Sequence, residues 1–294
     1  MITVLDGAMG GELSRRGGGS ATGLWSAKAL LDAPDMVVQL HQDYIAAGAR
    51  IITTNSYSTV PSYLGKENLA DRYTELTHLA GELARRAVRE SGKSVRVAGS
   101  LPPLSESYRP DLVPGDSESL PVYKAMVIAL RDNVDLFLCE TMSSGTEAVH
   151  AVSQACAHGL GKPVMVSWTL NEQPGRGLRS GETVAEAFRM LRDFEIAAYL
   201  FNCTHAEAIF EALKELKEMT DQPIGGYPNR LNIVDPQWTL DNDLQTGMRV
   251  DVDVEYFIGM AERFAAAGAT IIGGCCGIGP EYITALSDSV GVTK

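Results

Sequence analysis

Short apolar runs recur eight times along the chain, beginning near Ile2, Arg50, Val95, Val134, Pro163, Ala197, Pro223 and Thr270. Most are nearly continuous, as at Asp135-Leu136-Phe137-Leu138-Cys139 and Pro163-Val164-Met165-Val166. Such runs suit strands buried on both faces, as in a parallel sheet covered by helices. The stretches between them switch to helical period. Leu69, Tyr73, Leu76, Ala80, Leu83 and Ala87 make one apolar stripe, and Gly92 supplies a stop. Asp35 to Ala47 and Asp253 to Ala267 carry the same kind of stripe and end at Gly48 and Gly268. Ala46-Ala47-Gly48-Ala49-Arg50-Ile51-Ile52 and Ala266-Ala267-Gly268-Ala269-Thr270-Ile271-Ile272 differ at one position, as two equivalent helix-to-strand joints of a repeated βα unit would.

Eight β-runs with helices between them predict a (β/α)8 TIM barrel, one domain over residues 1–294. An open doubly wound sheet fits less well, because no Gly-x-Gly-x-x-Gly turn follows Ile2 to Leu5. In a barrel the chemistry sits at the C-terminal ends of the strands. Those positions are polar here: Asp6-Gly7, Thr53-Thr54-Asn55, Gly99-Ser100, Glu140-Thr141, Ser167-Trp168-Thr169, Asn202-Cys203, Tyr227-Pro228-Asn229 and Gly273 to Gly277. Two long connections, Leu101 to Ser119 and Asn229 to Thr246, follow strand ends and are expected to cover the substrate.

Composition narrows the partners. A formal charge of −12 with no basic run works against nucleic acid, whose binding depends on Lys and Arg displacing counterions. No apolar run approaches the ~18 residues of a membrane span, and no basic segment followed by an apolar one opens the chain. A cytoplasmic protein without membrane contact is expected. Five cysteines at irregular spacing read as reduced thiols or metal ligands, not as a disulfide framework.

Three of those cysteines, Cys203, Cys275 and Cys276, fall at predicted C-terminal strand ends. Zinc takes thiolates tetrahedrally, and three protein ligands leave a fourth position for water or substrate. Adjacent cysteines diverge in regular structure, but Gly273, Gly274 and Gly277 free the backbone to aim both sulfurs at one point. Cys139 in a strand and Cys156 in a helix are expected to be small buried hydrophobes.

The ordered motifs Leu5-Asp6-Gly7-Ala8-Met9, Leu24-Trp25-Ser26-Ala27-Lys28, Cys139-Glu140-Thr141, Asn202-Cys203, Tyr227-Pro228-Asn229 and Gly273-Gly274-Cys275-Cys276-Gly277 span nearly the whole chain. Together they resemble the zinc-dependent homocysteine S-methyltransferases, in particular the short cobalamin-independent members. The glycine-flanked cysteine pair is the specific motif. The resemblance implies a (β/α)8 barrel, a zinc ion (Zn2+) held by Cys203, Cys275 and Cys276, homocysteine as acceptor and methionine as product. It also implies a sulfonium donor such as S-methylmethionine or S-adenosylmethionine.

The chemistry is consistent with that. A free thiol is mostly protonated at neutral pH while the thiolate is the nucleophile, so an enzyme that alkylates a thiol must hold it ionised. Attack of an anionic sulfur on a cationic sulfonium neutralises charge, which a water-poor pocket favours. Trp25, Trp168, Tyr57 and Tyr227 are candidates to face the cationic donor, each worth about 0.5–2 kcal/mol by cation–π attraction, with plain core packing the equal alternative for Trp25 and Trp168. Asp6 and Glu140 follow the first and fourth strands, and the resemblance assigns both to the ammonium of the amino-acid substrate. Their alternatives are helix capping for Asp6 and a solvated carboxylate for Glu140. Gly7 adjoins Asp6, and Thr54, Ser100 and Asn202 are candidates to orient the substrate, although such groups often only satisfy backbone.

His205 lies two residues beyond Cys203, but three cysteines plus substrate already complete a tetrahedron, so it is expected not to ligate. His41, His78, His150 and His158 fall in predicted helices as structural or exposed residues. Leu101 to Pro110 departs from the Gly-Pro-type segment associated with sulfonium-using members. That leaves betaine or a separate corrinoid protein as alternative methyl sources. A zinc hydrolase on the same fold usually draws on His and carboxylate ligands, and no His-x-His follows the first strand. A thiol-metal storage or sensor protein has no use for Asp6 and Glu140.

Overall fold

The computed structural model describes residues 1–18, 24–239 and 246–290. Its elements run β1 (Thr3–Val4), α1 (Gly10–Arg15), α2 (Ala27–Asp32), α3 (Pro34–Ala47), β2 (Ile51–Thr53), α4 (Pro61–Gly65), α5 (Tyr73–Ser91), β3 (Arg96–Leu101), α6 (Asp116–Leu130), β4 (Leu136–Met142) and α7 (Gly145–His158). Then follow β5 (Val164–Trp168), α8 (Val184–Met190), β6 (Ala198–Asn202), α9 (Ala206–Lys217), β7 (Ile224–Tyr227), α10 (Val254–Ala266), β8 (Ile271–Ile272) and α11 (Pro280–Ser289). All strand pairs are parallel, in the order β1-β8-β7-β6-β5-β4-β3-β2. A parallel bridge between Leu5 and Ile51 closes the seam, where Arg50 N–H donates to the Val4 carbonyl at 2.8 Å. The sheet is therefore a (β/α)8 barrel, and each strand begins within one or two residues of its expected onset.

Strand alternation sorts the apolar residues into two layers. Leu5, Ile51, Ala98, Leu136, Leu138, Met165, Ala198, Leu200 and Ile271 fill the barrel interior. Val4, Ile52, Val97, Phe137, Cys139, Val166, Tyr199 and Phe201 point outward under the helices. This parity explains the continuous apolar runs, since both faces of each strand are covered. It also decides Trp168. Two residues beyond Val166 and three beyond the inward Met165, it is fully buried between sheet and helices, with Tyr199 and Phe201 at centroid distances of 6.0 and 6.1 Å. The expectation that Trp168 faces the donor is corrected: an odd offset from an inward residue puts it on the outer face.

The helices stop where their glycines permit. Gly48 (φ +108°) and Gly92 (φ +64°) follow α3 and α5 in the left-handed region that glycine tolerates best. Leu69, expected within the α5 stripe, precedes that helix, separated from it by a short 3-10 turn, and still packs on the core. Side-chain caps start α7 (Ser144), α8 (Thr183, in a capping box with Glu186) and α10 (Asp253). Cys156 departs from expectation: it is exposed on α7, one residue past the buried Ala155 that carries the apolar face. Among the described residues no helix is long and apolar enough to cross a membrane.

Candidate metal and substrate site

A cavity of about 450 Å³ opens at the C-terminal ends of the strands. Asp6 and Gly7 enter it from β1, Thr54 from β2, Glu140 and Thr141 from β4, Cys203 from β6, Tyr227 from β7, and Cys275 and Cys276 from β8. Both long connections cover it: Ser107 and Tyr108 come from the first, Leu231, Val234, Trp238 and Thr246 from the second. Part of that second connection, 240–245, lies outside the described residues.

The sulfurs of Cys203, Cys275 and Cys276 lie within 4.8 Å of one another, with Cys203 and Cys276 3.5 Å apart. A tetrahedral ion at 2.3 Å from each sulfur sets them about 3.8 Å apart, so the trio is near the spacing one ion needs. Three soft thiolates with no histidine or carboxylate in the group suit zinc or another thiophilic ion. The cysteine pair converges because Cys275 to Ile278 form a turn. Ile278 N–H donates to the Cys275 carbonyl at 3.0 Å, and Gly277 occupies the third position at φ +80°. A turn of that geometry requires a residue at home at positive φ there. Gly274 is needed for a second reason, since a Cβ on it would lie 2.1 Å from Ile278 Cγ2.

Cys203 sits alone at its strand end, at φ +49°, a conformation that costs a non-glycine residue about 1–3 kcal/mol. Its sulfur lies 3.0 Å from the Tyr108 hydroxyl and accepts from Asn229 Nδ2 at 3.7 Å. Burial opposes its ionisation, but hydrogen bonds from Cys275, Cys276 and Tyr108 outweigh that and hold it well below the usual thiol value. Those same bonds to Cys203, with burial, raise Cys275 and Cys276.

The two carboxylates are anchored from below. Asp6 accepts from Thr53 N–H at 2.7 Å and from the Thr53 hydroxyl at 3.0 Å. Glu140 accepts from the Ser100 hydroxyl at 2.5 Å and from Tyr227 at 3.2 Å. Burial pushes each up to about 7, against the pull of those hydrogen bonds. Neither caps a helix or faces solvent. Among the described residues lining the cavity no lysine or arginine appears. Trp25 and Tyr57 form an aromatic wall, edge to face at 5.8 Å and 80°.

Other expected residues act at one remove. Asn202 is fully buried and does not line the cavity: its Oδ1 accepts from Thr141 N–H (2.9 Å) and the Ser167 hydroxyl (2.7 Å), and its Nδ2 donates to Thr141 Oγ1 (2.8 Å). It pins Thr141 at φ +61°, where the register of β4 against β5 shifts, so its expected contact with substrate is corrected to support of that bulge. Ser100 likewise holds Glu140, and Thr54 lines the cavity while accepting from Ser100 N–H at 3.0 Å. His205 Nε2 meets the Leu231 carbonyl at 2.9 Å, and the ring stays outside the sulfur group. His41 in α3 is buried without a partner on either ring nitrogen, and burial lowers it to about 4; His78, His150 and His158 lie in α5 and α7. Sequence reasoning missed Tyr108 and Trp238, and had Thr141 only among the polar strand ends. The one available signal for Tyr108 was the unusual segment Leu101 to Pro110.

The class this defines is a (β/α)8 barrel whose mouth gathers three thiols that could hold one metal ion, two buried carboxylates and an aromatic wall. The sequence pattern of the homocysteine S-methyltransferase family matches residues 3–290, and the chain belongs to that family. It is 30% identical over 302 residues to the homocysteine S-methyltransferase YbgG of Bacillus subtilis, covering 96% of this chain and 92% of that one. It is also 30% identical over 304 residues to the Escherichia coli homocysteine S-methyltransferase, covering 97% and 94%. The metallated crystal form of the E. coli enzyme MmuM superposes with a TM-score of 0.82 at 28% identity, over 98% of this chain and 96% of that one.

Proposed function

We propose that the chain is a homocysteine S-methyltransferase that takes the methyl group of a sulfonium donor, S-methylmethionine or S-adenosylmethionine, and yields methionine. Zinc is the ion we assign to Cys203, Cys275 and Cys276. The observation that carries the reading is the joining of three convergent sulfurs and two buried carboxylates in one cavity of a family member.

Held by Cys203, Cys275 and Cys276, zinc would favour the thiolate of the acceptor over its thiol at neutral pH. The rest falls to the chain. Asp6 and Glu140 face the substrate ammonium, whose approach favours their ionised forms. Gly7 lets the end of β1 pack closely against the turn after β8, since a Cβ there would lie 2.3 Å from the Ile278 carbonyl oxygen. The acceptor sulfur attacks the donor methyl carbon, and the bond from that carbon to the sulfonium breaks with its electron pair going to the donor sulfur. A neutral thioether leaves, so no proton transfer accompanies the step once the thiol is ionised. Trp25, Tyr57 and Tyr227 give the cationic donor π faces, and the absence of lysine and arginine from the described lining spares it repulsion. All five cysteines are free, which fits the reducing cytoplasm we assign.

Zinc quantitation of the purified protein, followed by homocysteine with S-methylmethionine, S-adenosylmethionine, betaine and methylcobalamin in turn, tests the reading. Methionine from a sulfonium donor is expected. A zinc-loaded protein forming none with any of the four would refute the transferase assignment, and one using only betaine or methylcobalamin would refute the donor.

A further inference from the structure

Cys203 is the isolated member of the trio. Cys275 and Cys276 share a hydrogen-bonded turn, whereas Cys203 holds a strained backbone at the end of β6 and depends on side chains for its orientation. The shorter of the two side-chain hydrogen bonds its sulfur makes outside the trio is to the Tyr108 hydroxyl, at 3.0 Å. A cysteine that ligates a metal has lost its S–H, so in the loaded site the phenol must donate and the sulfur accept.

Tyr108 is itself held from several directions. Its backbone lies at φ +67°, left-handed for a bulky residue, so the β3–α6 connection maintains a strained conformation to aim the ring inward. The Arg179 guanidinium stacks 4.4 Å from the ring centroid, and Trp238 approaches at 5.9 Å. Arg179 is fixed in turn by Glu172 at 2.6 Å and by Thr169 Oγ1 at 3.2 Å, all within the connection that follows β5. Two connections from different strands therefore converge on one phenol, and that phenol reaches one sulfur. Plain packing requires neither the strained backbone nor a hydroxyl at hydrogen-bond distance from sulfur.

We propose that Tyr108, braced by Arg179, is the positioning residue that fixes the Cys203 thiolate as a metal ligand by donating its hydroxyl to that sulfur. The inference rests on the reading of Cys203 as a ligand. Outer-shell donors of this kind orient a ligand and tune its basicity, and losing one costs about 10–100-fold in metal affinity or activity.

The test compares the parent protein with Tyr108→Phe, which keeps the ring and loses the donor. Zinc affinity is measured by competition with a chromophoric chelator, and the protein loaded with Co(II) is followed by its thiolate-to-metal charge-transfer band. Tyr108→Phe is expected to bind zinc about 10–100-fold more weakly. Its cobalt band should move to longer wavelength, because a sulfur lone pair without a hydrogen bond lies higher in energy. Arg179→Lys keeps the charge facing Glu172 but loses the planar stacking, and should produce the same band shift in smaller measure. Parental zinc affinity with an unmoved band in Tyr108→Phe would overturn the proposal. An unmoved band in Arg179→Lys would remove the bracing role. A parent protein that takes up neither zinc nor cobalt is a separate failure, that of the trithiolate reading itself.

Discussion

Four of the six described non-glycine residues at positive φ border the cavity: Trp25, Tyr108, Thr141 and Cys203. Strain of about 1–3 kcal/mol per residue persists only where the surroundings over-determine it, and here the surroundings are the three convergent sulfurs, the aromatic wall and their supports. At this scale the chemistry is divided between sulfur and carboxylate, and each can be perturbed alone. Cys275→Ser removes a sulfur from a hydrogen-bonded turn that keeps its backbone. Metal content and methyl transfer should fall together while the thermal unfolding transition stays cooperative. The carboxylates predict a pH dependence. Asp6 and Glu140, each pushed up to about 7 by burial, are largely neutral below that pH and ionise as it is passed. Affinity for the product methionine, which has no thiol to confound the titration, should therefore rise from about pH 6 to about pH 8. Calorimetry on the parent and on Asp6→Asn checks this. The variant should bind more weakly at the upper pH and show a shallower rise, while retaining its metal.

At the scale of elements, function depends on the register of side chains along a strand. Glu140 reaches the cavity and Cys139, one residue earlier, is buried under the helices, because successive side chains leave a strand on opposite faces. Trp168 follows the same rule outward. Replacing it with Ala should cost about 3–5 kcal/mol of stability, read by denaturant unfolding, without changing the apparent donor affinity of the folded fraction. An altered donor affinity at unchanged stability would return Trp168 to the site. The connections behave differently. Those after β3, β5 and β7 bring Tyr108, Arg179 and Trp238 together although the strands themselves place none of them. Periodicity carries no information about such encounters, so Tyr108 showed in the sequence only as an unusual loop.

At the scale of the whole molecule, the barrel buries ionisable groups that contribute nothing to the site. Glu147, in the first turn of α7, accepts from Ser143 N–H and from the Ser143 hydroxyl, yet burial raises it to about 7. The unfolded chain titrates it near the ordinary carboxylate value, so between the two values the folded state holds the extra proton. Stability then falls as pH rises through that window and levels off above it, on the order of 3 kcal/mol for a fully buried group. Glu147→Gln cannot titrate. Its melting temperature should decline less between about pH 5 and about pH 8 than that of the parent, as scanning calorimetry would show. An identical decline in both proteins would place the dependence on other groups.

The barrel itself was legible because its signals are local and repeated: continuous apolar runs, helical stripes and glycine stops recur with each βα unit. The three cysteines and two acids were legible for a related reason, since a (β/α)8 fold converts the position just after a strand into a place at the catalytic mouth. Which of the other strand-end residues face the cavity was not. Asn202 and Ser100 turned out to hold Thr141 and Glu140, and Trp168 to pack outside, because side-chain direction at a strand end depends on bulges and on neighbours distant in sequence. The sequence alone determined that three sulfurs could meet. Only the tertiary structure decided that a phenol braced by an arginine meets one of them, since that contact joins residues 95 positions apart through loops whose course no local pattern encodes.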